Sequence, residues 1–535
     1  MRIEKLLQSK FAIIWPALFA MLLYAFTCNF SFSPLDEQWL IVTNTQSFDA
    51  SGAFFSFFKQ SIQGVFYRPL LMLSFYFNYL VGHADPLIYH LSNILFHALA
   101  VALLYTYLVK LKINKSASLC LSLLFACHPL AAHAVAWVPG RNDSLLAIFL
   151  LLALIHLVNY QTKHNSKYII FHYASFFACL LTKETAIAFP LIFIALQKTE
   201  SNIKKIAIAY LACIGLYWLM LVASKTAIPT FSLSTLSAMG WTLFASLTKL
   251  LLLYKLSVSC PVFIGSKFIG IAIIVLCTIS LIWMHKKNSI SAVYLLLSYL
   301  CVLLPAYFSV QSSVPVMDEH RLYIPLLAVI IVLGLQANQL PTKISGIVFA
   351  VLVSVYISVT LYRLPVYKTQ KSFLQEACND NPKNYFFKYQ YANLLFYGND
   401  YPAALEYCNA AILLQPNKAK LYALRGDIFC AISELEKGKN EFAKALSLAG
   451  ESPAILELLP GITRYRQITT MRLHLIDSLL QTDSQDPSLY AMRAKVFLDA
   501  NNKNAAIADA NRALELSGHL KSYEEYLLQL ENIND

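Results

Sequence analysis

Residues 88–109 read IYHLSNILFHALAVALLYTYLV, and this stretch decides the fold. It contains no Asp, Glu, Lys or Arg, and as a helix rising 1.5 Å per residue it is long enough to cross the hydrocarbon core of a bilayer. Other stretches of the chain are similarly apolar. The sequence therefore predicts about eleven transmembrane spans, at 11–29, 88–109, 117–135, 144–161, 168–182, 185–197, 206–224, 268–284, 290–309, 322–338 and 344–362.

The composition of the whole chain agrees with this prediction. Of its 535 residues, 58% are hydrophobic and 13% are charged, whereas soluble domains carry about 25% charged residues. A soluble single-core protein is therefore excluded, and the 34 Phe and 31 Tyr exclude a disordered chain. The 11 Cys are scattered without a CxxC pair, so they predict neither a zinc knuckle nor a disulfide framework.

The net charge of +12 is unevenly distributed along the chain. Residues 1–363 hold 24 Lys and Arg against 10 Asp and Glu, whereas residues 364–535 hold 18 against 20. A basic excess confined to the loops of a hydrophobic region is typical of membrane orientation and not of a nucleic-acid surface. We therefore expect membrane lipids and no nucleic acid as partners.

The first span follows Arg2, Lys5 and Lys10 and shows no cleavage site, so we expect an uncleaved anchor with a cytoplasmic amino terminus. With that orientation, eight of the ten acids in residues 1–363 lie on the outer side. The outer segments 30–87 and 225–267 are too long for simple turns, and 67–82 is typical of an interfacial helix. An odd number of spans predicts an outer carboxy-terminal tail, and the sequence predicts an outer cavity.

From Tyr385 onward the sequence repeats every 34 residues, which is the spacing of tetratricopeptide repeats. Small residues recur at matching positions, such as Ala392, Gly426 and Ala494. We predict an α-solenoid that binds an extended polypeptide or a partner protein; a mere spacer is the alternative. The predicted domains are the membrane domain 1–363, a linker helix 364–384, the repeats 385–418, 419–452, 453–486 (degenerate) and 487–520 within 385–520, and a capping helix 521–535.

Asp36 and Glu37 in SPLDEQWLIVTN lie just beyond the first span. Two adjacent carboxylates at a membrane surface can raise the pKa of one of them and supply a base near neutral pH. The equally weighted alternative is that Asp36 caps a short helix that begins at Glu37.

Three further segments place ionisable groups at the outer ends of predicted spans. They are CHPLAAHAVAWVPGRNDS at 127–144, LTKETAIAFP at 181–190 and MDEHRLYIP at 317–325. An arginine here can bind a phosphate through its two-pronged guanidinium, although Arg321 could instead be an anchor at the lipid boundary. Lys183 and Glu184 could form only a surface pair, and a core position is favoured for His133. Acids and cations in one outer cavity suggest transfer from a phosphate-bearing lipid.

Taken in order, these segments and the repeats resemble the transmembrane and tetratricopeptide-repeat O-mannosyltransferases of the C-type glycosyltransferase superfamily, and their bacterial relatives. The resemblance also includes YRPLLMLSFYFNYLVGHADPLIYHLSNILFH at 67–97. It implies a polytopic C-type glycosyltransferase bundle, and it implies that Asp36 with Glu37 is the catalytic locus. The implied binders of the donor phosphate are Arg68, Arg141, Lys183 and Arg321. The other cavity candidates are His90, His128, Asp143, Glu184, Glu319, His320 and Tyr323.

The resemblance further implies that the protein transfers a single sugar, with mannose as the first choice. The sugar would move with inversion from a polyprenyl-phosphate carrier to Ser or Thr hydroxyls of extracytoplasmic proteins. The compartment would be the periplasmic side of a bacterial inner membrane, or the endoplasmic reticulum in a eukaryote. No cofactor is certain, the metal requirement is unknown, and a divalent cation is an open option. His133 departs from the family pattern, in which an acid is usual, and this puts a metal or second carboxylate there in doubt. The alternatives are a transferase for a lipid-linked oligosaccharide or envelope glycan, and a non-catalytic scaffold.

Overall fold

The structure, a computed structural model, describes residues 10–33, 36–50, 52–62, 64–197, 203–224, 233–253, 256–258, 267–310, 318–337, 342–449, 484–500, 502–518 and 521–531, with single positions between 473 and 481. The chain forms two compact units, Met1–Asn381 and Pro382–Asp535. Over the described ranges the structure is helical and contains no strand beyond an isolated bridge between Ile62 and Phe66. The predicted all-α class is confirmed for these residues.

The first unit is a bundle of apolar helices, and every predicted span falls on one of them. They run over Ile14–Tyr24, Pro69–Gly82, Pro86–Lys110, Lys115–Cys127, Arg141–Lys163, Ser166–Thr182, Phe189–Ala195, Ile203–Ala223, Leu233–Leu252, Lys267–Lys287, Ser289–Val310, Tyr323–Ala337 and Thr342–Arg363. The predicted interfacial segment is thus the helix Pro69–Gly82, and the linker region forms the helix Gln370–Asp380 within the first unit.

Six helices among the described residues are long and apolar enough to cross a membrane. They cover Pro86–Lys110, Val138–Lys163, Lys204–Ala223, Phe268–Lys287, Glu319–Gln336 and Ile347–Tyr367. Other predicted spans are shorter helices; Lys115–Cys127, for example, has 13 residues, against the roughly 20 that a full span needs. The count of eleven spans therefore stays a prediction.

Local sequence signals explain where several helices begin. The helix Pro86–Lys110 starts at Asp85, whose carboxylate accepts a hydrogen bond from the backbone N–H of Leu87 at 3.0 Å, with Pro86 in its first turn. Asn114 caps the next helix in the same way through the N–H of Ala117 at 2.7 Å. Such caps satisfy backbone donors that no helical partner can reach.

Buried polar side chains form hydrogen bonds between helices of the first unit. His97 is fully buried; its Nδ1 lies 2.7 Å from the hydroxyl of Tyr323 and its Nε2 lies 3.1 Å from the carbonyl of Ala126. This one ring therefore joins the helices Pro86–Lys110, Lys115–Cys127 and Tyr323–Ala337. A buried polar group costs free energy unless it is paired, so these contacts favour one relative placement of the three helices.

The second unit consists of paired helices over Tyr385–Tyr397, Tyr401–Leu414, Ala419–Ala431, Leu435–Ala449, Pro487–Asp499, Lys503–Leu516 and Lys521–Glu531. The pair that starts at Tyr385 and Tyr401 recurs 34 residues later at Ala419 and Leu435. The last helix coincides with the predicted cap. The predicted degenerate register 453–486 lies mostly outside the described residues. The assignment to tetratricopeptide repeats stays a prediction.

The recurring small residues allow the paired helices to approach closely. A Cβ atom added at Gly426 would lie 2.7 Å from the ring of Phe442, and one at Gly438 would lie 2.5 Å from Sγ of Cys430. Both distances are shorter than van der Waals contact, so a larger residue would force these helices apart. The sequence argument for small residues at these positions is confirmed by the packing.

Candidate active site

Charged and aromatic side chains surround a cavity of about 110 Å³ in the first unit. Its charged lining residues are Asp36, Arg68, Lys183, Glu184, Asp318 and Arg321, and its ring-bearing lining residues are Phe66, Trp137 and His320. The structure thus brings together residues that are up to 285 positions apart in sequence.

Short 3-10 turns at the ends of apolar helices provide four of the residues that line the cavity. They are Val138–Gly140, Glu184–Ala188 and Glu319–Leu322, and each leads directly into an apolar helix. A 3-10 turn is tighter than an α-helical turn and is common at helix termini. The cavity therefore lies where the chain enters several bundle helices, which fixes its side chains on rigid elements.

Asp36 faces the cavity and is accessible to solvent there, although protein surrounds it. This crowding, together with repulsion from Asp318, raises the pKa of Asp36 to about 6, against the opposing attraction of Arg68 and Arg321. The residue is followed by a π-helical turn at Gln38–Val42, a rare geometry found frequently at functional sites. A carboxylate with this pKa is largely ionised at neutral pH and can still accept a proton.

Glu37 points away from the cavity and is 1% exposed. Its carboxylate accepts hydrogen bonds from the backbone N–H groups of Ser33 and Val138, the latter at 2.8 Å. Burial raises the pKa of Glu37 to about 7, and the hydrogen bonds from Ser33 and Val138 oppose that shift. Glu37 therefore connects the loop after the first helix to the segment before helix Arg141–Lys163, which positions its neighbour Asp36.

Two further contacts hold the same loop. The backbone N–H and the hydroxyl of Ser31 each donate to the carbonyl of Lys368 at 3.1 Å. The indole N–H of Trp137 donates to the hydroxyl of Ser33 at 3.0 Å. Ser31, Ser33 and Glu37 thus each form a hydrogen bond with another part of the bundle.

We expect Glu37→Ala to lower the free energy of unfolding by about 3 kcal/mol, because two buried N–H donors would lose their acceptor. Glu37→Gln keeps one carbonyl oxygen and should lose less. Thermal unfolding of the purified protein in detergent measures both effects. If Glu37→Ala unfolds at the same midpoint as the wild type, the buried hydrogen bonds of Glu37 do not hold the loop in place and the positioning role is wrong.

Two of the cations in the cavity are held by carboxylates. Nε and Nη2 of Arg68 donate to the two carboxylate oxygens of Glu184 at 2.9 and 2.6 Å, and the guanidinium lies 4.2 Å from the centre of the Phe66 ring. The ammonium of Lys183 donates to both oxygens of Asp143 at 2.7 Å. Paired cations of this kind are pre-oriented and need little reorganisation to stabilise an anion that enters the cavity.

His320 and Arg321 also line the cavity. The ring of His320 packs 5.0 Å from those of His133 and Trp137, and its Nε2 lies 3.9 Å from Asp143. Arg321 donates to the carbonyl of Pro305 at 3.2 Å. The lysine and both arginines thus approach the cavity from three separate segments.

Sequence reasoning did not select Asp318, Trp137 or Asn142 as site residues, yet all three line the cavity. Asn142 is 4% exposed, and its Oδ1 has no hydrogen-bond partner among the described residues. Its signal in the sequence was its place beside Arg141 in the segment VPGRNDS. Asp318 could have been found as the acid adjacent to Glu319.

Arg141 does not line the cavity, so its expected role as a phosphate ligand stays a prediction. Its side chain is fully buried. Nε donates to Asn93 at 2.7 Å, Nη1 donates to Asn78 at 2.5 Å, and Nη2 donates to the carbonyl of Tyr89 at 2.7 Å. Each nitrogen of the guanidinium therefore already donates to a protein acceptor. Through these hydrogen bonds Arg141 connects the helices Pro69–Gly82, Pro86–Lys110 and Arg141–Lys163.

Several other candidates also lie outside the cavity lining, within the packed bundle. Glu319 is buried and pairs with Lys249 at 2.6 Å and Arg363 at 2.7 Å. Asp143 pairs with Lys183 at 2.7 Å and lies 3.9 Å from Nε2 of His320. The remaining candidates are buried aromatic or imidazole rings that contact neighbouring aromatic side chains, namely His90, His128 and Tyr323.

Within the described part of the chain, no three His, Cys, Asp or Glu side chains are grouped so that they could hold a metal ion. His133, where the family pattern has an acid, packs against Trp137, His320 and Tyr367. The divalent cation considered from the sequence therefore has no ligand set among these residues, and we assign it no step.

Comparison with known proteins identifies relatives of this region. Residues 72–228 match the dolichyl-phosphate-mannose-protein mannosyltransferase family. The chain is 40% identical over 100 residues to protein O-mannosyl-transferase TMTC3 of Homo sapiens. This match covers 19% of this chain and 11% of that protein. It is 46% identical over 90 residues to protein O-mannosyl-transferase tmtc2 of Xenopus laevis, and this match covers 17% of this chain and 11% of that protein. It is 36% identical over 121 residues to protein O-mannosyl-transferase Tmtc1 of Drosophila melanogaster, a match that covers 23% of this chain and 14% of that protein.

The matches thus span 11% to 14% of the length of these three curated relatives. The matched family region begins at residue 72, within the helix Pro69–Gly82 and after Arg68, and it includes Lys183 and Glu184. Over its first membrane helices, this chain is a relative of the protein O-mannosyltransferases.

Proposed function

We propose that the protein is an integral membrane glycosyltransferase. It moves a single sugar, for which mannose is our first candidate, from a polyprenyl-phosphate carrier to Ser or Thr hydroxyls of extracytoplasmic proteins. The observation that carries the proposal is the cavity in which Asp36 lies with Arg68, Lys183 and Arg321. The names of the matched family and relatives supply the class of donor and acceptor. They describe those proteins, and their transfer to this chain is our proposal.

In the proposed mechanism, Asp36 removes the proton of the acceptor hydroxyl as the oxygen attacks the anomeric carbon. The bond between that carbon and the phosphate oxygen breaks with inversion, and the lipid phosphate leaves. Negative charge develops on the leaving phosphate, and pre-oriented cations stabilise it. Arg68, Lys183 and Arg321 fill this role, and Glu184 and Asp143 hold the first two in place.

The test is sugar transfer by the purified full-length protein from radiolabelled polyprenyl-phosphate mannose to a mixture of envelope polypeptides. Transfer to protein supports the proposal. A requirement for a pyrophosphate-linked oligosaccharide would favour a lipid-glycan transferase instead. Absence of transfer from this and other monosaccharide donors, with a phenotype that depends only on residues 385–535, would favour a scaffold.

We expect kcat/KM to depend on pH through Asp36. Because only the ionised carboxylate can act as a base, the rate should rise about tenfold per pH unit below pH 6 and level off above it. The residual activity of Asp36→Asn should lack this inflection. A rate that is constant between pH 5 and pH 7 would contradict the assignment of the base.

The proposed location is a bacterial inner membrane with the amino terminus in the cytoplasm, and the endoplasmic reticulum is the corresponding site in a eukaryote. The cavity and the paired helices of the second unit would then face the outer compartment. We propose that this unit, as a tetratricopeptide-repeat array, recruits the acceptor polypeptide or a partner protein. Protection of residues 385–535 from protease in sealed inside-out vesicles, with cleavage in spheroplasts, tests this orientation.

A further inference from the structure

A second cavity, of about 230 Å³, lies beside the first. We refer to it as the neutral chamber. Nine residues line it, including Leu40, Thr43, Asn44, Ser47, Ser61 and Ile62. It lies within the first outer segment, between the turn that follows Asp36 and the helix Pro69–Gly82, which contributes Met72.

The neutral chamber adjoins the catalytic cavity directly. Leu40 and Ile62 line both cavities, so their side chains form a shared wall. Leu40 lies four residues after Asp36, about one helical turn further along. The backbone around Ile62 is fixed by its hydrogen bonds with Phe66, whose ring contacts Arg68. A ligand in the neutral chamber therefore lies close to the proposed base.

The chemistry of the two cavities differs sharply. Among the nine residues that line the neutral chamber, none is ionisable; its polar groups are hydroxyls and side-chain amides, and the others are apolar. The catalytic cavity has six charged lining residues. A charged group that enters the neutral chamber would lose hydration without gaining an opposite charge. A neutral amide or hydroxyl would instead find donors and acceptors.

We propose that the neutral chamber is the acceptor subsite, and that it binds an uncharged polypeptide segment with its Ser or Thr hydroxyl directed past Leu40 and Ile62 to Asp36. Amide and hydroxyl side chains there suit peptide groups, and Phe57 and Met72 provide contact for small apolar side chains. The inference rests on the proposed function, since it names where the acceptor of that reaction binds.

The experiment compares three synthetic peptides that carry one Thr among Ala and Gly residues and differ at the position next to the Thr, which is Ala, Lys or Asp. With the wild-type protein we expect kcat/KM for the neutral peptide to exceed that for either charged peptide about tenfold or more. Ser61→Asp adds a carboxylate to the chamber and should reverse the order in favour of the Lys peptide. The matched control Val65→Asp adds the same charge to the same loop at a half-exposed position that lines neither cavity.

Release of free sugar from the donor in the absence of peptide reports the donor side separately. Val65→Asp should keep this hydrolysis at the wild-type rate, and the midpoint of thermal unfolding, measured for both variants, shows whether each protein is folded. If the wild type transfers sugar but treats the three peptides alike, or if Val65→Asp changes the preference as much as Ser61→Asp, the subsite is wrong and the proposed function stands. Transfer to glycans alone also overturns the subsite. If no donor is consumed at all, the proposed function fails, and the subsite fails with it.

Discussion

Asp36→Asn should reduce sugar transfer about 10³-fold while leaving the protein folded. General-base catalysis contributes about 10²- to 10⁴-fold, and the amide of asparagine cannot take the proton of the acceptor hydroxyl. Asp36 is accessible in the cavity and is not the residue that fastens the loop, since Glu37 makes the buried contacts with Ser33 and Val138. The measurement is transfer from the polyprenyl-phosphate donor together with the midpoint of thermal unfolding.

The matched control is Asp85→Asn, which changes an aspartate that directly precedes helix Pro86–Lys110 and lines neither cavity. An asparagine oxygen can also cap a helix, so this variant should keep both stability and activity. Wild-type transfer by Asp36→Asn would remove Asp36 from the reaction. An unfolded Asp36→Asn protein would show instead that the residue is needed for the structure.

Lys183→Met should destabilise the membrane unit by about 3–5 kcal/mol, which is the range measured when one partner of a buried ion pair is removed. The side chains of Lys183 and Asp143 are only 4% and 2% exposed, so the carboxylate left behind would have little access to water. We expect the midpoint of thermal unfolding to fall by about 10 °C.

The double variant Lys183→Met with Asp143→Asn separates stability from catalysis. Removing both charges should restore most of the lost stability, because no buried charge stays unpaired. Transfer should nevertheless stay about 10²-fold below wild type, since the leaving phosphate has lost a cation. Full activity of the double variant would mean that Lys183 only holds the fold. Lys437→Met is the control, since the Lys437–Glu434 pair is exposed and should contribute less than about 1 kcal/mol.

The sequence was a good guide to where helices form, because long apolar runs leave a backbone few alternatives. The runs at 88–109 and 144–161 lie within the helices Pro86–Lys110 and Arg141–Lys163. Which of these helices cross a membrane stays a prediction. Helix Lys115–Cys127 has only 13 residues, and hydropathy does not reveal that a chain leaves the helix early for a buried turn.

For the site, the sequence indicated which residue types to expect. Only the structure showed which of these residues line the cavity and which are buried elsewhere. Asp36 and Glu37 are neighbours with similar chemistry, yet one lines the cavity and the other is buried against Val138. Arg141 and Arg68 both lie at the start of a helix, but Asn78 and Asn93 happen to enclose only Arg141. Such partners lie 48 and 63 residues away in sequence, so no local pattern could distinguish the two arginines.

The contact between Ser31 and Lys368 has a consequence for biosynthesis. The two residues are 337 positions apart, so at ordinary rates of translation about half a minute separates their emergence from the ribosome. Until then the segment that carries Asp36 lacks this anchor, and the helix Thr342–Arg363 is not yet inserted. We expect the nascent chain to be inert toward its donor, and to become active only after the whole membrane unit has been made.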